Sequence, residues 1–188
     1  MKLWFWNGIL AVTLALLALN GVARAQSTDN DGCSNATLRG DYAFTVHGEF
    51  LGLVTAAGPQ YFPAAVPIDG VSMINFDGKG NFTQVNVSVL GGLVIPGPTD
   101  PETGFGINQS GTYTLFPDCT GNFELSLPLA VASGKFVLAN QGREIHAVIE
   151  QEHVIEGILN CNSSSGCDTL PQYRADGSKL RSDGKQND

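Results

Sequence analysis

The sequence predicts an all-β domain, and three observations carry that prediction. Apolar residues alternate with period two in one segment after another. Gly, Asn, Asp and Pro punctuate those segments, and no stretch beyond residue 25 sustains a helical period. The segments number about eight. Short antiparallel strands linked by hairpins form a meander, and closing it into a small barrel removes the exposed edges. An open β-sandwich is the alternative architecture.

Taken in order, Tyr42, Phe44 and Val46 share one face of the first strand. Val71–Phe76 is the second, and in the third, Phe82–Leu90, Val85, Val87 and Val89 fall on one face. Gly111–Phe116 is rich in strand formers. Phe123, Leu125, Leu127, Leu129 and Val131 alternate through a fifth, where Pro128 marks an edge or a bulge. Lys135–Ala139, Glu144–Glu150 and His153–Leu159 complete the set.

The turns repeat a device. Asp77-Gly-Lys-Gly-Asn81 separates the second and third strands, and Asp118-Cys-Thr-Gly-Asn122 separates the fourth and fifth. Each is followed by Phe. Neither has the spaced carboxylates and terminal Glu of a calcium loop, so both read as turns. Two connections, 51–67 and 91–108, are long and apolar for a meander, and are expected to pack over a barrel end or line a pocket mouth.

The chain ends set the compartment. Lys2, an apolar run from Leu3 to Leu19 and the small-x-small pattern Ala23-Arg24-Ala25 read as a signal peptide cleaved after Ala25. The domain organisation is therefore 1–25 signal peptide, 26–32 disordered linker, 33–167 barrel and 168–188 disordered polar tail. Secretion or export to a periplasm follows, with no stable membrane insertion. Losing Lys2 and Arg24 takes the formal charge from −8 to −10. Between Cys33 and Cys167 only Arg39, Lys79, Lys135 and Arg143 are basic, which excludes a nucleic-acid partner.

All four cysteines, Cys33, Cys119, Cys161 and Cys167, lie in the exported part. An even count in an oxidising compartment predicts two disulfides, and three pairings are open. Cys161 and Cys167 enclose a flexible Asn-Ser-Ser-Ser-Gly loop that could close locally.

Three blocks in order carry a resemblance: Cys33-Ser-Asn-Ala-Thr-Leu-Arg-Gly-Asp-Tyr-Ala-Phe44, Phe76-Asp-Gly-Lys-Gly-Asn-Phe82 and Gly111-Thr-Tyr-Thr-Leu-Phe-Pro-Asp-Cys-Thr-Gly-Asn-Phe123. The chain resembles a family of secreted bacterial proteins of unknown function that share this pattern. The resemblance implies a lipocalin-like or allene-oxide-cyclase-like barrel and supports pairing Cys33 with Cys119. It implies no activity and transfers no catalytic residue.

No nucleophile elbow, phosphate-binding loop or metal-ligand spacing is present, so neither catalytic nor metal residues are assigned, and no cofactor is expected. His146 and His153, with Glu150, Glu152 or Glu156, lack a recognised ligand spacing. His47 and Glu49 share the face opposite Tyr42 and Phe44, and read as a solvated pair. The expected function is a non-catalytic exported barrel whose partner is a small apolar molecule. Tyr42, Phe44, Phe123 and Leu125 are the candidate lining residues. A cyclase- or isomerase-type enzyme acting on an apolar substrate, or a structural or adhesive surface protein, are the alternatives.

Overall fold

The computed structural model describes residues 32–181, so the expected signal peptide and most of the expected linker lie outside the described residues. The strands are β1 (Arg39–Thr55), β2 (Gly58–Asp77), β3 (Asn81–Leu90), β4 (Leu93–Val94), β5 (Gly106–Leu115), β6 (Thr120–Leu127), β7 (Ala130–Ala139), β8 (Glu144–Val154) and β9 (Cys167–Lys179). They form one sheet, and every pairing is antiparallel. Each long strand pairs with its neighbours in sequence, β9 returns to β1, and the hydrogen bonds run in a closed ring. The two-residue β4 hangs on the mouth end of β3. This is the closed meander the alternation predicted, and it leaves no role for the sandwich.

Stepping sideways from Gly40 through its partners Phe76, Phe82, Gly111, Leu125 and Ala132 arrives at Glu152. Gly40 sits at one end of the barrel and Glu152 near the other. That stagger is the signature of tilted strands closing on themselves.

Glycines let the ring pack tightly. Phe44 lies across Gly177, Phe82 across Gly111, Phe136 across Gly121 and Phe123 across Gly134, each pair being register partners on adjacent strands. A Cβ on Gly111 would stand 2.2 Å from the Phe82 ring, and one on Gly177 2.5 Å from that of Phe44. The aromatic ring covers the glycine backbone and replaces the missing side chain in the core.

One end is plugged. The segment before β1 folds beneath the barrel as a single 3-10 turn, Asn35–Thr37, and inserts Leu38 at 1% exposure. Three ties hold it: the Cys33–Cys119 disulfide, the Leu115 amide donating to Asn35 Oδ1 at 2.8 Å, and the Tyr113 hydroxyl donating to the Leu38 carbonyl at 2.8 Å. Above the plug, Phe76 is ringed by aromatics, edge-to-face with Tyr42 at 5.4 Å and Tyr113 at 5.3 Å, with Phe82 at 5.5 Å. Such contacts add roughly 0.5–1.5 kcal/mol each beyond area burial.

The repeated turns sit at this plugged end. The Asp77 carboxylate accepts from the Lys79 and Asn81 amides at 2.6 and 3.0 Å, and from Asn81 Nδ2 at 2.8 Å. Asp118 accepts from the Thr120 amide and hydroxyl at 3.0 and 2.7 Å. These are Asx turns with their carboxylates already occupied by the loop itself.

Four expectations need correction. The alternation over 123–131 is not one strand: β6 ends at Leu127, Pro128 and Leu129 turn, and Val131 lies exposed on β7. Residues 168–179 are not a disordered tail: they are the closing strand β9. Its inward positions, Thr169, Pro171, Tyr173, Ala175 and Gly177, are small or polar except for Tyr173, so it lacks the apolar content that marks a strand. The segment His153–Leu159 is not a strand, because β8 runs through to Val154 and a 3-10 turn follows at Ile158–Asn160. Residues 51–67 are not a loop: β1 and β2 continue past the barrel rim as a ribbon turning at Thr55–Gly58. The outer edge of that ribbon carries Pro59, Pro63 and Pro67, which have no amide to offer another strand.

Candidate ligand-binding site

The aromatic cluster packs the plugged end of the barrel and floors the hollow that opens above it, with Leu38, Phe76, Phe82 and Tyr113 lining that floor. A cavity of about 190 Å³ opens there, with predominantly apolar walls. Phe44, Phe50, Ile68, Phe123, Leu125 and Ala132 line it, among others. Its mouth is built by the connections at that end: Ile95 and Pro96 after β4, Leu129 between β6 and β7, and Ile158 and Leu159 after β8. The 91–105 connection thus lines the mouth. It is held in shape by Asp100, which accepts from the Thr103 amide and hydroxyl at 2.8 and 3.0 Å. The Cys161–Cys167 disulfide closes the loop following Ile158 and Leu159, with Cys161 buried against Ala130 and Val154. Both disulfides are formed, which points to an oxidising environment.

Of the sequence-derived lining residues, Phe44, Phe123 and Leu125 face the cavity. Tyr42 does not. It is fully buried beneath the floor, edge-on to Phe76, and its hydroxyl donates to the Gly142 carbonyl. Burial, and then the neighbouring Tyr113, push its pKa up to about 12. The alternation placed Tyr42 on the right face but could not give its depth.

Two polar groups interrupt the apolar wall, and neither was singled out from sequence. The first is a side-chain relay on β3 and β5. Gln84 Nε2 donates to Gln109 Oε1 at 2.8 Å, Gln109 Nε2 to Asn86 Oδ1 at 2.6 Å, and Asn86 Nδ2 to Ser88 Oγ at 3.1 Å. Gln84 and Gln109 are buried. Along Gln84–Ser88 the inward face of β3 is therefore polar, and the outward face carries Val85, Val87 and Val89. Val85 and Val87 cover the barrel wall with Met73 and Val71, their partners on β2. The valine face was legible in the sequence; that it points outward was not.

The second is a carboxyl–phenol pair on β8 and β9. Glu152 is 8% exposed, and the Tyr173 hydroxyl donates to its Oε2. Burial pushes the Glu152 pKa up, and the hydrogen bond from Tyr173 opposes that only in part. Burial, followed by the charge and hydrogen bonding of Glu152, holds the Tyr173 phenol well above its ordinary value. Tyr173 is fixed from behind by the Phe50 ring at 5.3 Å. Going round the ring, β8 and β9 lie opposite β3 and β5, so the two polar groups face each other across the hollow half.

A bulge explains why Glu152 escaped notice. Ser133 pairs with Gln151 and Gly134 with Ile149, so β8 carries an extra residue at that point. Parity flips there. Ile145, Ala147 and Ile149 face inward before the bulge, and Glu152 and Val154 after it. Without it His153 would face inward and Glu152 would be solvated.

The three histidines are all outside and all engaged across strands. His47 meets Asp69 at 2.6 Å, His146 meets Asp176 at 2.8 Å and His153 meets Asp168 at 2.8 Å, each pair directly opposed in register. The partner of His47 is thus Asp69, not Glu49. No group of metal-ligating side chains assembles among the described residues.

Comparison with known proteins adds little to this geometry. No family model matches the chain, and no curated protein matches it. Among solved structures, the S-type phycobiliprotein lyase from Guillardia theta is similar over 81% of this chain and 96% of its own, at 10% identity and a TM-score of 0.38.

Proposed function

We propose that this chain is an exported carrier or receptor that holds one small, largely apolar molecule in the mouth half of its barrel. The observation that supports this reading is the unfilled cavity: a closed eight-stranded ring can be filled by side chains, and here only the plugged half is. Apolar walls with a few convergent polar groups are the usual make-up of a small-molecule site. Export is supported by the two disulfides and by the signal-peptide pattern of residues 1–25. N-terminal sequencing of the mature protein is expected to begin at Gln26.

Binding is tested with Nile red, a neutral dye whose emission brightens and shifts to the blue in apolar surroundings. Saturable enhancement at one dye per chain is expected, together with its loss in Leu125→Trp, which narrows the cavity. No enhancement with the folded wild-type chain would sink the reading.

One observation favours a second reading, an isomerase- or cyclase-type enzyme: the buried Glu152 carboxyl lies within the cavity with its pKa raised. A carboxyl kept protonated can donate a proton to a bound substrate. Loss of turnover in Glu152→Gln with undiminished substrate binding would distinguish this from simple carriage.

A further inference from the structure

Resting on the binding reading above, we infer that the cavity selects an uncharged apolar molecule bearing a hydrogen-bond-accepting oxygen, a ketone, ester or lactone carbonyl, and rejects carboxylates. The Glu152 side chain is the anchor. One of its oxygens, Oε2, accepts from Tyr173, while Oε1 has no protein partner among the described residues. Both residues line the cavity.

The remaining wall removes the alternatives. No Lys, Arg or His is among the residues lining the cavity, so a carboxylate would enter with no counter-charge. Beside it would stand a carboxyl group that the same anion discourages from ionising. The relay across the barrel offers only neutral groups. Its chain of donors runs from Gln84 to Ser88, which leaves the Ser88 hydroxyl hydrogen free at one end and Gln84 Oε1 at the other. Two donors, the Glu152 carboxyl and the Ser88 hydroxyl, therefore face a mostly hydrocarbon space from opposite sides. That is a site for oxygen acceptors on an apolar frame. The direction of the Glu152 shift agrees, because burial favours the protonated form that can donate.

Displacement of Nile red at neutral pH by three probes of equal chain length tests this: dodecan-2-one, dodecanoate and dodecylamine. The ketone is expected to compete at least about ten-fold better than dodecanoate, the effect of roughly one charge-assisted or buried hydrogen bond. Glu152→Gln, whose amide still donates, should keep ketone binding within a few-fold. Glu152→Leu should weaken it about ten-fold. Tyr173→Phe, with the carboxyl intact, is a second variant should Glu152→Leu fold poorly, and should retain the preference for ketone over dodecanoate. Equal or tighter binding of dodecanoate overturns the selectivity while leaving the carrier reading intact. Dodecylamine binding best overturns it too, since that requires an ionised Glu152. Nile red binding that no probe displaces likewise overturns the assignment of the anchor. Failure of Nile red itself to bind removes the underlying reading instead.

Discussion

Tyr173 on β9 lies across Gly48, its register partner on β1, and occupies the space a β1 side chain would fill. A Cβ on Gly48 would stand 2.4 Å from both the Gln172 carbonyl oxygen and Tyr173 Cβ. The glycine thereby leaves room for the Tyr173 backbone and Cβ at this register position, from which the hydroxyl bonds Glu152. Gly48→Ala is expected to destabilise the fold by about 1–3 kcal/mol, the usual cost of overpacking a core. Urea unfolding checks the loss, and Nile red affinity should fall in the same variant.

Removing the phenol hydroxyl acts on the carboxyl. The Tyr173 hydrogen bond is what lowers the Glu152 pKa against the larger upward push of burial. Tyr173→Phe should therefore raise the Glu152 pKa further, which carbon-13 titration of the Glu152 carboxyl would read. A fall on substitution would mean that the hydrogen bond serves the neutral acid.

The same group makes stability depend on pH. The folded-state pKa of Glu152 lies above its unfolded value near 4.5, so its contribution is full below that value and is lost as pH rises through the folded pKa. Among the described residues the titratable group that bonds this carboxyl is the Tyr173 hydroxyl, and Thr169 bonds the Glu152 backbone carbonyl instead. Glu152→Gln should flatten this part of the stability curve as pH rises above 4.5, as measured by denaturant midpoints.

Asp77 works in the opposite sense. Hydrogen bonds from the Asn81 side chain and amide, then from the Lys79 amide, lower its pKa to about 2. Its contribution is present above pH 3.8 and lost as pH falls toward 2. Asp77→Ala should remove that acid-side dependence and loosen the β2–β3 turn, seen as faster amide exchange at Lys79 and Asn81.

The disulfides should differ in worth. Cys33–Cys119 spans 86 residues and Cys161–Cys167 spans 6. Loop-closure entropy gives about 4–5 kcal/mol for the first and roughly half that for the second. Cys33→Ser with Cys119→Ser should cost the fold more and free the plug. Cys161→Ser with Cys167→Ser should chiefly loosen the mouth, with a larger effect on Nile red binding than on the unfolding midpoint.

Truncation after Cys167 separates the closed ring from an open sheet. Without β9, both β1 and β8 lose a partner, and Phe44 loses the glycine it covers. Such a chain should show no cooperative unfolding in a urea titration.

Alternation in β1 and β5 was legible because their inward faces are apolar and their outward faces polar. Tyr42, Phe44, Tyr113 and Leu115 declare themselves by period two. The Asp-Gly and Asp-Cys turns did too, since their geometry is local. β9 was illegible for the opposite reason. Its interior face is small or polar apart from Tyr173, which lets Phe44 lie over Gly177, and its outward Asp168, Arg174 and Asp176 look like a solvated tail. β3 misleads in a third way, because its valines face outward and its amides inward, each set satisfied by the adjacent strands.

The sequence by itself determined an all-β meander, because period-two alternation and Asx turns are written within a few residues of one another. It also determined the cysteine count and the acidic surface. Only the tertiary structure decided that β9 closes the ring, that the plugged half is full and the mouth half hollow, and that Glu152 faces inward. Each of those depends on partners far away in the chain, on a one-residue bulge that reverses parity, and on which glycine lies under which ring. No local pattern encodes such pairings.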